Sequence, residues 1–322
     1  MVDHLPPARR QPRGPRRIVS LVPHATELLF ALGLGDRVVG VTHGCDHPEG
    51  ARGLPRVTSS ALPDGLDAAG IDAAVSGLAR EGAASDRLDA DLLERLRPDL
   101  VITQALCSVC AVSHDEVVAI ARGLPGPPQV LALDPHTFGE TLEDVAVVAA
   151  VCDVPEAGAA LRRAIGTRVD RVRVAVRGAV RPRVAAVEWF DPVYVAGHWT
   201  PQLVELAGGT DLLGLPGERS ARTDWDELAL LRPEVVVCMP CGYDARRSLA
   251  EALPRAERLW QGDPRRVVAV DASGLFARPG PRLVDGLELL AHVLHPDRVP
   301  APAADVLDVP RATTRARRGA PA

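Results

Sequence analysis

The chain of 322 residues contains no lysine, so all 37 of its basic side chains are arginine. Schiff-base chemistry and lysine-dependent phosphate loops are thereby excluded. Arginine alongside abundant Ala, Gly, Pro and Val reads as codon bias rather than chemistry. Aromatic residues are scarce, at 3%. There is no basic surplus either: 42 acidic residues against 37 basic ones leave a net charge of −5, and no nucleic-acid partner is expected. No apolar run approaches the roughly 18 residues of a membrane span. The opening "MVDHLPPARRQPRGPRR" is basic and proline-rich, and no apolar stretch follows it. As written, it predicts no export signal and a cytoplasmic protein; a start further upstream would instead place the chain outside the membrane. There is no G-x-S-x-G elbow, no H-E-x-x-H, no phosphate loop and no G-x-G-x-x-G after a strand, so no enzyme is expected.

What is present is an ordinary globular composition, 47% apolar and 25% charged, in a chain long enough for two cores. Short β-branched runs ("RIVSLVP", "RVVGVT", "DLVITQ", "QVLALDP") alternate with helix-like segments such as "ATELLFALGL". That alternation predicts an α/β fold with parallel sheets and helices on both faces. The pattern then restarts with "PRVAAVEWF". "LLERLRPDLVIT" and "ELALLRPEVVVC" read alike: amphipathic helix, Arg-Pro, an acid, buried strand. This is a repeat on the scale of a whole lobe. The expected division is a disordered segment over 1–16, an α/β lobe over 17–136, a helical connector over 137–179 with a break near Pro155, a second lobe over 180–299 and a disordered tail over 300–322. A monomer is expected.

In open parallel sheets, ligands sit beyond the carboxyl ends of the strands. In the first lobe those ends carry His24, His43, Cys45, Cys107 and Cys110. In the second they carry Trp189, Phe190, Tyr194, His198, Trp199, Cys241, Phe276 and Arg278. Several of the few aromatics crowd into these loops, which suits a flat apolar ligand. Arg278 is a planar multi-donor fit for carboxylate, amide or phosphate groups at a rim. Two C-x-x-C pairs, Cys107/Cys110 and Cys238/Cys241, follow strands in different lobes, and Cys45 stands near them in the pattern. Cys45, Cys107, Cys110 and Cys241 form a candidate set for zinc or an iron–sulfur cluster. Cys238 continues an apolar run and Cys152 sits in a helix, so both are read as core thiols.

"RIVSLVPHATELLFALGLGDRVVGVTHGCDHPEGARGLPRV" resembles the opening of the helical-backbone class of solute-binding proteins, which serve ABC importers of vitamin B12, ferric siderophores and haem. "LLERLRPDLVIT", "PQLVELAGGTDLLG", "WDELALLRPEVVV" and "RPGPRLVDGLELLA" are similar to later family segments in the same order. The likeness runs from about Arg17 to His295 and is nearest the cobalamin-binding members. It implies two Rossmann-like lobes joined by a long backbone helix. It also implies a corrinoid or related metal chelate held between them through aromatic side chains, without chemistry; the strand-end residues His24, His43, Trp189, Phe190, Tyr194, His198, Trp199, Phe276 and Arg278 are the candidates to line that cleft. If the chain is exported, it implies docking on a permease through Asp91 and Asp226. Three features depart from that family: the missing export signal, an elongated stretch "TSSALPDGLDAAGIDAAVSGLAREGAASDRLDA", and the cysteines. Together they keep a second reading open, a cytosolic metal or iron–sulfur protein, with or without catalysis, built on the same scaffold.

Overall fold

The computed structural model describes residues 14–63, 65–105 and 112–311. Its first sheet has four parallel strands in the order Val38–Val41, Ile18–Ser20, Leu100–Gln104, Gln129–Leu133. Alternation along these strands feeds two cores. Ile18, Leu100 and Ile102 pack with Leu28 and Leu29 of helix Pro23–Ala31 on one face. Val19 and Val101 pack with Leu93 and Val117 on the other. A sheet buried on both sides needs such continuous apolar strands.

The second sheet is built around Arg183–Phe190, Val235–Cys238 and Arg266–Val270, all parallel. Antiparallel strands Val193–Val195 and Ala221–Arg222 extend one edge. Val306–Asp308 pairs antiparallel with Arg266–Val270 at the other edge. The tail expected to be disordered from residue 300 therefore begins as an ordered edge strand, anchored further by Val309 N–H donating to Val267 O. At the opposite terminus, the Arg16 N–H donates to Asp99 Oδ2 at 2.8 Å, so ordered chain starts before Arg17.

The repeated Arg-Pro-acid motif does the same work in both lobes. Helices Ala90–Leu96 and Trp225–Leu230 each stop just before a proline. A pre-proline residue is excluded from the right-handed helix. Arg97 and Arg232 turn instead into the left-handed region, at φ 43° and 48°. The acids that follow hold the first strand of each sheet: Asp99 accepts the Arg17 N–H at 2.9 Å, and Glu234 accepts the Arg183 N–H at 3.0 Å. Those two arginines in turn donate to helix-end carbonyls, Leu96 O and Leu231 O, which have no partner within the helix.

The connector expected as one helix over 137–179 is two, Phe138–Val151 and Pro155–Ala175, and the break near Pro155 is a full reversal of the chain. The first begins in a capping box, Thr137 with Glu140. The helices pack closely enough that a Cβ on Gly158 would lie 2.5 Å from the Cβ of Ala149. Phe138 joins the second lobe's core while Val145 and Val148 join the first's. The returning helix packs Ala157 and Leu161 on the first core and buries Ile165 and Val172 in the second. Both helices thus span both lobes, which restrains relative motion. Arg168 ties the second to the last long helix through Asp285 at 2.5 Å and Glu288 at 2.6 Å.

Asp144 lies on the first connector helix with its Oδ2 buried and without a hydrogen-bond partner. Burial, and then the charges of Glu140, Asp134 and Glu143, raise its pKa to about 7. The folded chain holds this proton to about pH 7, whereas an ordinary aspartate releases it near 3.8. Stability should therefore fall as pH rises from about 4 to 7. Asp144→Asn should stabilise the protein by about 1–2 kcal/mol at pH 8, and the gain should vanish near pH 4. Urea unfolding of both proteins at the two pH values checks this.

Candidate functional site

The carboxyl ends of the two sheets face each other across a cavity of about 960 Å³. A volume of that size sits at the upper end of ordinary ligand pockets. The first lobe contributes Leu21–His24 after its first strand, Thr42–Gly44 and Asp46 after its second, and Gln104 at the end of its third. The second lobe contributes Glu188, Tyr194 and the run Ala196–Thr200, then Met239 and Cys241, then Phe276–Pro279. The elongated stretch folds into helix Ala68–Arg80, capped by Asp67, and its Val75 reaches the cavity.

Among the sequence candidates, His24, His43, Tyr194, His198, Trp199, Phe276, Arg278 and Cys241 line this space. Trp189 and Phe190 do not. Consecutive residues of a strand point to opposite faces, so the two cannot share one wall. Phe190 turns into the second core and stacks on Trp225 at 6.4 Å. Trp189 packs against Tyr243 at 5.5 Å.

Cys45 also leaves the candidate site. It is 1% exposed, part of the first core, with its Sγ 3.0 Å from Thr26 Oγ1. Burial pushes its thiol pKa up, the reverse of what a metal-binding thiolate needs. Cys107 and Cys110 lie outside the described residues. Among the described residues, no three His, Cys, Asp or Glu gather in a way that could hold a metal ion. Cys152 and Cys238 are fully buried, and burial raises the thiol pKa of Cys152 to about 11. Asp91 and Asp226 sit at matching places in the repeat, each exposed in the first turn of its helix and away from the cavity. Asp226 is held by Arg258 at 3.5 Å and by Gln261 at 3.1 Å.

Arg278 is not the unoccupied anion reader that the sequence suggests. Its guanidinium meets Glu27 Oε1 at 3.0 Å, Asp46 Oδ1 at 2.6 Å and Gly44 O at 3.2 Å, all in the opposite lobe. Arg282 adds two bonds to Glu27, at 2.8 and 2.6 Å. Glu27, with its side chain 3% exposed, is thus clamped by two arginines of the other lobe. Desolvation would raise the Asp46 pKa, but the Arg278 hydrogen bond and charge hold it below the usual carboxylate range. His24, beside this cluster, is kept neutral, its pKa lowered to about 3 by burial and then by Arg278. Sequence reading missed Glu27 and Arg282, although Glu27 stands as a lone acid in the apolar helix "PHATELLFA".

The cavity wall holds further groups that the sequence did not single out. Glu188 accepts a hydrogen bond from Ser220 Oγ at 2.5 Å, and burial raises its pKa despite that bond and one from the Gly197 N–H. Arg219 lines the cavity, exposed and without an ion pair among the described residues. His198 takes a left-handed backbone, φ 52°, and stacks on Trp199 at 5.4 Å. Burial, then His136 and Arg219, lower its pKa. Strained loop residues of this kind concentrate at functional sites. Trp199 is fixed by its Nε1–H donating to Phe276 O at 2.7 Å, which joins two aromatic parts of one wall.

Comparison with known proteins agrees with this architecture. The model of the family described as "Periplasmic binding protein" matches residues 18–262. A vitamin B12-binding protein of Vibrio cholerae is 23% identical over 285 residues, covering 86% of this chain and 88% of the relative. An uncharacterised ABC transporter substrate-binding lipoprotein of Bacillus subtilis is 23% identical over 301 residues, covering 88% and 82%. The crystal structure of a periplasmic haem-binding protein from Pseudomonas aeruginosa superposes with a TM-score of 0.66 at 21% identity, covering 93% of this chain and 99% of that one. With two α/β lobes, a spanning helical connector and a cavity between the strand ends, the chain belongs to the periplasmic binding protein family, whose members bind solutes rather than transform them.

Proposed function

We propose that this protein is the solute-binding component of an ABC importer and that it holds a corrinoid, or a related tetrapyrrole or metal chelate, between its lobes. The observation that carries this reading is the cavity of about 960 Å³ with an aromatic wall and, at Arg219, a cation that has no ion pair among the described residues. Tyr194, Trp199 and Phe276 offer ring faces to a large, flat, partly apolar ligand. Arg219 takes the role first given to Arg278 and meets a carboxylate or phosphate on the ligand's periphery. Glu188, holding its proton more tightly than an ordinary glutamate, meets carbonyl or amide groups. Asp91 and Asp226, one exposed on each lobe, are the candidate contacts with a permease. The relatives support action outside the cytoplasmic membrane, against the cytoplasmic placement expected from the opening residues. The zinc or iron–sulfur reading has no such support and has lost Cys45.

Thermal shift and absorbance titrations with aquocobalamin, haemin and a ferric hydroxamate test the proposal. A ligand at about a hundredfold its Kd should add close to 3 kcal/mol of stability. Tyr194→Ala should weaken binding by about tenfold, the value of one aromatic contact. Tyr194 is only half-buried, on a short strand next to the sheet's edge, so the variant's melting temperature without ligand should stay near that of the wild type. A protein that responds to none of the three compounds would rule the reading out.

A further inference from the structure

Three histidines line the cavity, and they differ in what stands behind them. His24 is 3% exposed, and its Nε2 is buried without a partner. The His198 Nδ1 is likewise buried and unpartnered. His43 is different: its side chain is 35% exposed, and its Nδ1 lies 2.9 Å from Thr58 Oγ1 and 3.9 Å from Asp86 Oδ2. The same Thr58 hydroxyl accepts the His43 backbone N–H at 3.0 Å and sits 2.7 Å from Thr42 Oγ1. Ring and backbone are thus anchored on one point inside the lobe.

The geometry points to His43 as the residue that coordinates the metal at the centre of the bound chelate, with Thr58 and Asp86 as its positioning residues. This rests on the cleft reading above and deepens it. A proton on Nδ1 donated to Thr58 Oγ1 at 2.9 Å, with Asp86 Oδ2 3.9 Å away as a nearby acidic group and not a hydrogen-bond partner, leaves the lone pair on Nε2. Nε2 has no hydrogen-bond partner among the described residues, and the residue borders the cavity. Metal-binding histidines are oriented in just this way, by an outer carboxylate or hydroxyl on the other ring nitrogen. The reaction is ligand exchange without redox change: a bond forms between the metal and Nε2, the bond from the metal to its water breaks, and the water leaves to solvent.

The elongated stretch of the first lobe acquires a purpose here. Its two ends, Thr58–Ser60 and Asp86–Leu88, pair antiparallel, with Ser60 opposite Asp86. This small sheet carries both positioning residues to the ring. A purely structural triad would need no accessible Nε2, whereas coordination requires one.

The test is absorbance spectroscopy of the purified protein with aquocobalamin and, separately, with ferric haemin. Wild type should convert the bound compound's spectrum from its water-ligated to its imidazole-ligated form. His43→Ala should still bind, through the aromatic wall, but keep the water-ligated spectrum, and millimolar imidazole should restore the shifted bands. Asp86→Asn and Thr58→Val should weaken the coordinated state by about 10–100-fold. Binding by wild type without any spectral shift, or the same shift in His43→Ala, would overturn the coordination and leave the cleft reading standing. No binding of either compound would overturn the coordination, and the cleft reading falls with it only if the ferric hydroxamate also fails to bind.

Discussion

Glu27→Gln should destabilise the protein by about 3–5 kcal/mol. The carboxylate is 3% exposed and receives three hydrogen bonds from Arg278 and Arg282. The amide presents an N–H₂ group to guanidinium donors and removes the charge that offsets two cations. Arg278 keeps Asp46, but Arg282 loses its carboxylate partner. Removing one member of a buried ion cluster leaves the others uncompensated, which is costlier than never having built it. Because the bonds cross from one lobe to the other, the variant should also change the spacing between lobes. Urea unfolding and small-angle scattering check the two effects. The paired replacement Glu27→Gln with Arg282→Met should recover part of the loss in a double-mutant cycle. An unchanged unfolding midpoint in Glu27→Gln would mean that the cluster only breaks even.

Trp199→Ala should be of similar size in stability and larger in binding. Trp199 is 4% exposed, packs in the second lobe's main core and also borders the cavity. Truncating a buried tryptophan costs about 3–5 kcal/mol through lost burial and the space left behind. A core loss of this size should lower the melting temperature by about 4–7 °C. The indole also holds the Phe276 carbonyl at 2.7 Å, so its removal frees a second aromatic residue of the same wall. Ligand binding should then fall well beyond the roughly tenfold expected for Tyr194→Ala. Trp199→Phe separates the two roles: it keeps a ring and loses the N–H, so it should cost about 1–2 kcal/mol while retaining most binding. If Trp199→Ala bound as tightly as wild type, the aromatic wall would not be the ligand contact.

Much of this architecture is legible in the amino-acid order. Alternating apolar runs and helical periods reveal two α/β lobes because a doubly covered parallel sheet needs nearly continuous burial. The paired segments "LLERLRPDLVIT" and "ELALLRPEVVVC" reveal the duplication, and the structure supplies its meaning in matching left-handed arginines and matching acids. The placement of His43, Tyr194, His198, Trp199 and Phe276 around one cavity follows from strand ends meeting across a cleft.

Other features were decided only when distant parts of the chain came together. A strand pattern shows that neighbours alternate but not which neighbour faces the ligand, so Phe190 was assigned to the wall and lies in the core. Cys45 looks like a ligand beside His43 and Asp46, yet a single turn of backbone aims it inward at Thr26. Arg278 finds Glu27 across 251 positions, and nothing local in "FARPG" announces that partner. Local sequence fixes periodicity, caps and turns because those depend on residues a few positions apart. The inter-lobe ion cluster, the reversal of the connector and the carboxylate behind His43 depend on how whole lobes and inserted segments pack, and only the tertiary fold sets those distances.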